Sequence, residues 1–570
     1  MQYVLRLASI STALALILYG LFLPVEAEIL WLVLLWSATA LAGLAIWLGK
    51  VRLPRGLARS VYHLGLVFCL GFGLLSIQLL RQQVTRAEAT FYRIESDGAG
   101  QTISNVRPVL AAQRIMRGDM FASQGELLVS SETVDGFVRR TYPLAEQYDP
   151  AAFSNIVGYL SPRFGQSGLE ASYSEYLSGE YDSPVTRLRD EMLGNTREGS
   201  DLYLTLRASL QNQARALLGN RRGSVVVLDP QSGAVLAMVS VPGFNPAELS
   251  FNPAAPDWAA ENARISAYWE LLQNNAAGQP LLNRPTQGQY PPGSIFKTLT
   301  AVAALQYATL AEPDAISCPN VLEVTSGAPP VRNAVDFLSG LTGNPSDLER
   351  VYAYSCNTAF AQYALRIGPD RFSDTARAFD IFAPADLPNR YNLFADLPTL
   401  PSRLYVQPGF LAQPSALADT GYGQGQLLVT PLHMALMAAT IANDGVMMRP
   451  YLVERIVRAD GEQLFQHQPV VVRRVMTETI AGRMRANMRA VARYGFGSVI
   501  SDFVPGVVPG GKSGTAEHAP GASPHAWFIA IAPIDDPRYA VAVMIENGGE
   551  GSSVGATLAG QVLQAAFATE

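Results

Sequence analysis

Three apolar stretches at the amino end, about residues 7–25, 29–48 and 61–80, constrain this 570-residue chain more than any other feature of it. A helix rises about 1.5 Å per residue, so each stretch is long enough to cross a bilayer core of about 30 Å. The link between the first two carries Glu26 and Glu28, whereas the link between the second and third carries Lys50, Arg52, Arg55 and Arg59. Positive charge stays on the cytoplasmic side, so the second link and the amino terminus are expected in the cytoplasm. An odd number of crossings then carries everything after Leu80 outside the cell membrane. A cleaved signal peptide fits poorly, because a second span comes directly after the first.

At 570 residues the chain is long enough for two or three domains with sizeable cores. The net charge of -6 comes with no basic tract, so a nucleic-acid partner is not expected. The cysteines Cys69, Cys318 and Cys356 are too few for a disulfide framework and lack zinc spacing, and the five histidines contain no H-E-x-x-H. Neither a metal nor a cofactor is called for. Cys318 and Cys356 both fall in the exported part and can pair, but sequence does not decide whether they do.

From 81 to about 200 the chain is polar and rich in turn residues, without a long helical or strand run, and reads as an elongated, mostly-β pedestal. Arg117-Gly118 leading to Gly125, and Gly168-Leu169-Glu170, read there only as turn signals. Beyond it, 201–206 alternates like a strand, 208–218 carries helical spacing, and two apolar runs flank Gln231-Ser232-Gly233 as a hairpin, with Asp229 capping the turn. Two more buried strands are expected at 526–532 and 539–545, and a closing helix at 555–567. Strands from both ends around a mostly helical middle (298–305, 358–366, 431–443) predict one α+β domain whose sheet closes late. The expected division is a three-helix anchor over 1–85, a non-catalytic pedestal over 86–205 and a catalytic domain over 206–570. Segments near 311–347 and 383–425 read as loops that shape a substrate groove.

The chemistry is signalled by lysine. The chain has 39 arginines but only three lysines, at Lys50, Lys297 and Lys512. Arginine cannot shed its proton near neutral pH, whereas a lysine amine can once burial or a neighbouring cation lowers its pKa. Lys297 comes three residues after Ser294 at the head of an apolar helical run, so the two share a helix face. A serine hydroxyl is a weak nucleophile unless a base takes its proton, and a neutral amine is such a base. Two further constellations lie downstream: Ser355-Cys356-Asn357 ahead of a helical run, and Lys512-Ser513-Gly514-Thr515 on an expected strand. Each is common by chance, but in the order S-x-x-K, S-x-N, K-[ST]-G they form a specific set.

On these motifs the chain resembles the monofunctional class B penicillin-binding proteins, the peptidoglycan D,D-transpeptidases of the bacterial envelope. The likeness extends to Gly168-Leu169-Glu170, Tyr290-Pro291-Pro292-Gly293-Ser294, Gly423-Gln424-Gly425 and His525-Ala526-Trp527-Phe528. It implies a transpeptidase domain of the penicillin-binding, serine β-lactamase-like fold, with a central antiparallel sheet flanked by helices. It implies that Ser294 is acylated by a D-Ala-D-Ala terminus or a β-lactam, with Lys297 as base, Ser355 as proton relay and Lys512 as the second cation. It also implies that Asn357, Ser513, Gly514 and Thr515 bind substrate, Asn357 meeting its backbone and Ser513 and Thr515, with Lys512, its carboxylate, and that the backbone N–H groups of Ser294 and Thr515 stabilise the oxyanion. The chain departs from the family in having three spans where one is usual. It also carries Ala122 and Ser123 where an aspartate and an arginine would stand, and Lys-Ser-Gly for Lys-Thr-Gly. The partners implied are peptidoglycan stem peptides, β-lactams, the cytoplasmic membrane, a SEDS-type glycan polymerase and proteins of the division or elongation machinery. A D,D-carboxypeptidase and a membrane β-lactam receptor are the alternatives; a receptor is disfavoured by the absence of a zinc-protease motif.

Overall fold

The computed structural model describes residues 1–24, 27–49, 57–86, 95–96, 102–103, 114–181 and 197–569. The described chain forms two units, Met1–Gln113 and Arg114–Glu570. In the first, α1 (Gln2–Leu21), α2 (Glu28–Trp47) and α3 (Leu57–Leu80) are long and apolar enough to cross a membrane. Their outward faces are apolar, which suits a lipid solvent better than water. Gly20 lets the Trp31 ring close onto α1, where a Cβ would lie 2.5 Å from that ring. The Trp31 indole N–H donates to Gln78 Oε1 at 2.7 Å, tying α2 to α3. The basic link that carries Lys50, Arg52 and Arg55 lies outside the described residues, as does Glu26.

The second unit is built on two sheets. The larger joins β1 (Met120–Phe121), β2 (Leu127–Val134), β3 (Phe137–Thr141) and β4 (Asp201–Leu204) to β7 (Val453–Val457) and β8 (Gln463–Gln466), in the order β8-β7-β4-β1-β2-β3. Only β1 and β4 pair in parallel; the other neighbours are antiparallel. The pedestal thus contains an eight-residue strand, β2, where only short runs were expected. The sheet also crosses the expected division near 205, because β7 pairs with β4 through Val453 with Leu204 and Val457 with Asp201.

The two turn signals of the pedestal meet as a buried ion cluster. Glu170 is fully buried and accepts from Arg117 Nε at 2.9 Å and Arg140 Nε at 2.6 Å. Burial alone would raise the Glu170 pKa, but the two guanidiniums outweigh it and hold the carboxyl below its ordinary value. Arg117 also donates to the Glu170 carbonyl at 3.0 Å, so the cluster fixes backbone as well as charge.

The smaller sheet organises the rest. Its strands are β5 (Gly223–Leu228), β6 (Val235–Val241), β9 (Gly510–Ala516), β10 (His525–Ala532) and β11 (Tyr539–Ile545), in the antiparallel order β6-β5-β11-β10-β9. Successive residues point to opposite faces, and both faces are covered. Trp527, Ile529 and Ile531 enter the core that holds the helices α6 (Lys297–Gln306), α8 (Asn357–Ile367) and α9 (Pro431–Ala442). Phe528 and Ala530, with Val541 and Val543, enter a second core with α4 (Ala208–Leu218) and α11 (Ala556–Ala568). Double coverage explains why these strands read as unbroken apolar runs. Every residue of α9 is buried, and all but His433 and Thr440 are apolar. Several helices were not anticipated, among them the two long ones α5 (Trp258–Asn274) and α10 (Glu478–Arg493), and Pro414–Gly421 within the expected loop 383–425. Asp229 caps its turn as expected, accepting from Gln231 N at 2.9 Å.

Candidate active site

β9 is the edge strand of the smaller sheet, and the turn that carries Ser294 lies against it. Ser294 sits in a single 3-10 turn, Gly293–Phe296, and Lys297 begins α6 immediately after. Gly293 takes φ 56° and a Cβ there would stand 2.5 Å from the Thr515 carbonyl oxygen. A Cβ on Gly514 would stand 2.9 Å from the Pro292 carbonyl oxygen and from Ile295. Glycine at both positions is what lets the turn and strand approach. The turn is anchored upstream: Tyr290 pairs its backbone with Val429 at 3.0 and 2.9 Å and donates its hydroxyl to Glu546 Oε1 at 2.9 Å. The Trp527 indole N–H donates to the Pro291 carbonyl at 3.0 Å.

The sequence-derived site residues converge here. Lys297 Nζ lies 3.1 Å from Ser294 Oγ and 2.9 Å from Ser355 Oγ, and donates at 2.6 Å both to the Ser355 carbonyl and to Asn357 Oδ1. Lys512 Nζ lies 3.0 Å from Ser355 Oγ and donates to the Ser513 carbonyl at 3.0 Å. Both lysines are fully buried. Burial, helped by the charge of Lys512, pushes the Lys297 pKa well below its ordinary value, and burial brings Lys512 down to about 7. A neutral amine has two hydrogens and one lone pair. At Lys297 the Ser355 carbonyl and Asn357 Oδ1 can only accept, so they take both hydrogens and leave the lone pair to the hydroxyls. The amine is thereby set to receive a proton from Ser294.

Ser355 ends the short helix α7 (Leu348–Ala353) at φ 57°, a left-handed backbone that costs a non-glycine residue about 1–3 kcal/mol. That conformation places its hydroxyl between the two amines while its carbonyl still reaches Lys297. Gly514 and Thr515 lie on β9, where Thr515 is exposed and its hydroxyl accepts from Gly551 N at 3.2 Å. Alternation puts Ser513 and Thr515 on one strand face and Lys512 on the other. His518 and His525 stack on each other with ring centroids 4.1 Å apart, and His525 Nδ1 accepts from Asn547 N at 3.1 Å. Burial, with His518 nearby, pushes His525 down to about 4, so it is neutral at physiological pH. The described contacts bring neither ring to Ser294 or the lysines.

One feature of the site was left open by the sequence and two were not foreseen. Cys318 and Cys356 form a disulfide, which puts a covalent bond on the middle residue of Ser355-Cys356-Asn357. The loop region 311–347 contains a hairpin, Val321–Leu322 with Val331–Arg332, whose Arg332 carbonyl accepts from Asn357 Nδ2 at 2.8 Å. Glu546 also joins the buried Arg284, accepting from its Nε at 2.7 Å. A cysteine inside the S-x-N motif was a visible hint of the first; nothing local in sequence pairs Glu546 with Tyr290 or Arg284.

Comparison with known proteins agrees with this geometry. Residues 223–564 match the transpeptidase domain of penicillin binding proteins, and residues 117–202 match the penicillin binding protein A dimerisation domain. The chain belongs to the penicillin-binding protein transpeptidase family. The transpeptidase match takes in β5 through most of α11, and with it every site residue above. Over 502 residues this penicillin-binding protein is 33% identical to the peptidoglycan D,D-transpeptidase PbpA of Mycolicibacterium smegmatis, covering 85% of this chain and 94% of that one. The peptidoglycan D,D-transpeptidase MrdA of Escherichia coli is 28% identical over 487 residues, covering 75% and 71%. Among solved structures, the ceftriaxone acyl-enzyme of penicillin-binding protein A from M. tuberculosis superimposes with a TM-score of 0.70 at 31% identity, covering 80% of this chain and 100% of that one.

Proposed function

We propose that this protein is a membrane-anchored D,D-transpeptidase that crosslinks peptidoglycan stem peptides through an acyl-enzyme on Ser294. The observation that carries the reading is the Lys297 amine, fully buried, with a depressed pKa, 3.1 Å from Ser294 Oγ. Ser294 Oγ attacks the carbonyl of the penultimate D-alanine of a D-Ala-D-Ala terminus and gives its proton to Lys297. As the bond to the terminal D-alanine breaks, the proton passes through the Ser355 hydroxyl to the departing nitrogen. The amine of a second stem peptide then attacks the ester, and the same chain of groups returns the proton to Ser294. Lys512, cationic for part of the population at neutral pH, favours the uncharged form of Lys297. The backbone N–H groups of Ser294 and Thr515 hold the oxyanion, and loss of one such donor costs roughly 3 kcal/mol. Asn357 binds the substrate backbone, and the Ser513 and Thr515 hydroxyls bind the terminal carboxylate, with the charge of Lys512 behind the strand favouring the anion. A β-lactam presents a strained amide at the same place and acylates Ser294.

Residues 1–85 anchor the chain, 86–205 form the non-catalytic pedestal and 206–570 the catalytic domain, with the amino terminus cytoplasmic and the catalytic domain outside. Three spans and the basic second link support that orientation. Incubation of the full-length protein in detergent with a D-Ala-D-Ala pentapeptide and an excess of a free D-amino acid tests the activity. Mass spectrometry is expected to find the terminal D-alanine exchanged for the added amino acid, with Ser294→Ala inactive. A product shortened by one alanine and never exchanged would make the protein a carboxypeptidase instead.

A further inference from the structure

The Ser355-Cys356-Asn357 segment is held in a costly shape by residues behind it, and one of them, Asn333, has no counterpart in the three motifs. Ser355 occupies the left-handed region at φ 57°, a conformation that persists only when its surroundings dictate it. α8 begins at Asn357, two residues later, and the first-turn N–H groups of a helix need acceptors from outside the helix. The N-cap residue is Cys356, whose disulfide sulfur, a weak acceptor, takes Ala359 N at 3.4 Å and leaves Thr358 N to another partner. The cap on Thr358 N comes instead from another part of the chain, Asn333 Oδ1 at 3.2 Å. Asn333 Nδ2 donates to the Pro319 carbonyl at 2.9 Å, and Thr358 Oγ1 donates to that same carbonyl at 2.7 Å. The residue before Asn333 is Arg332, whose carbonyl holds Asn357 Nδ2.

We infer that Asn333 is a positioning residue for the transpeptidase reaction, and that with the Cys318–Cys356 disulfide it fixes the Asn357 carboxamide for substrate. The carboxamide is gripped at both ends, Oδ1 by Lys297 at 2.6 Å and one N–H by the Arg332 carbonyl at 2.8 Å. Its second N–H is then the one fixed donor left for a substrate amide carbonyl. Loss of the Asn333 acceptor uncaps Thr358 and frees the Arg332 carbonyl, so Asn357 loses its second grip. Lys297 keeps its contact with Ser294, so the penalty falls on recognition of the substrate's amide more than on the attack itself.

This inference rests on the proposed acylation of Ser294, and the test separates the two. Two β-lactams with the same ring system serve as probes: penicillin G, which bears a side-chain amide, and 6-aminopenicillanic acid, which bears a free amine there. Second-order acylation rates of the full-length protein in detergent are measured by intact mass, as the ratio of the first probe to the second. Asn333→Ala is expected to lower that ratio about tenfold, and Asn333→Asp, which keeps the acceptor for Thr358 N but loses the donor to the Pro319 carbonyl, to restore part of it. Wild-type protein whose disulfide is reduced after folding provides a second perturbation, with the ratio expected to fall in the same direction. A wild-type ratio in both Asn333→Ala and the reduced protein, or equal ratios for Asn333→Ala and Asn333→Asp, would overturn the inference. Acylation of wild type by neither probe would instead overturn the acyl-enzyme reading of Ser294.

Discussion

At Lys297 the count of hydrogens decides the chemistry. An ammonium would have three to give and no lone pair, and it would have to sit fully buried 3.1 Å from the hydroxyl it is meant to deprotonate. Burial and the neighbouring Lys512 both disfavour that form. Because the folded pKa is depressed, the neutral base fills as pH rises, and acylation is lost as pH falls through the titration of Lys297. Rates of β-lactam acylation measured from pH 5 to pH 9 are therefore expected to climb through an acid limb set by Lys297, below the ordinary lysine range, and to decline as Lys512 loses its charge around and above pH 7. A profile nearly flat from pH 5 to pH 8 and still rising at pH 9, toward the ordinary lysine pKa of about 10.4, would contradict a base held neutral by burial. These residues were legible in sequence because the chain spends lysine so sparingly. The acceptors that orient the amine, the Ser355 carbonyl above all, were not legible, since a backbone oxygen leaves no mark in a sequence.

Among the elements, legibility tracked the distance between partners. The hairpin β5-β6 and the pair β10-β11 carry unbroken apolar runs around short turns, and both formed where the pattern placed them. The pairing of β7 with β4 was invisible: the partners are far apart in sequence, and Val453-Glu454-Arg455-Ile456-Val457 does not alternate cleanly. Arg117 and Glu170 looked like punctuation for the same reason, their contact being set by the tertiary fold. Glu170→Gln would leave two buried guanidiniums without their carboxylate, at a cost of about 3–5 kcal/mol in unfolding free energy. Glu170 has a depressed folded pKa, so its contribution is present above the unfolded carboxyl pKa of about 4.3 and is lost as pH falls through the folded value. Thermal melts of wild type and variant are thus expected to differ widely at pH 7 and to draw together in acid. A gap that stays constant down to pH 2 would show that packing, not charge, holds the cluster.

For the molecule as a whole, the proposed orientation carries one requirement: the nucleophile works on the far side of the membrane from the basic link. The three helices were plain in the sequence because lipid demands long apolar runs. The proton-transfer claim and the orientation can be read together in intact spheroplasts treated with a fluorescent penicillin that does not cross the membrane. The account predicts that cells carrying the wild-type chain label without permeabilisation, that Ser294→Ala does not label, and that Lys297→Arg labels at least about a hundredfold more slowly. Wild-type labelling speed in Lys297→Arg would contradict the neutral-amine mechanism, and labelling only after lysis would contradict the orientation.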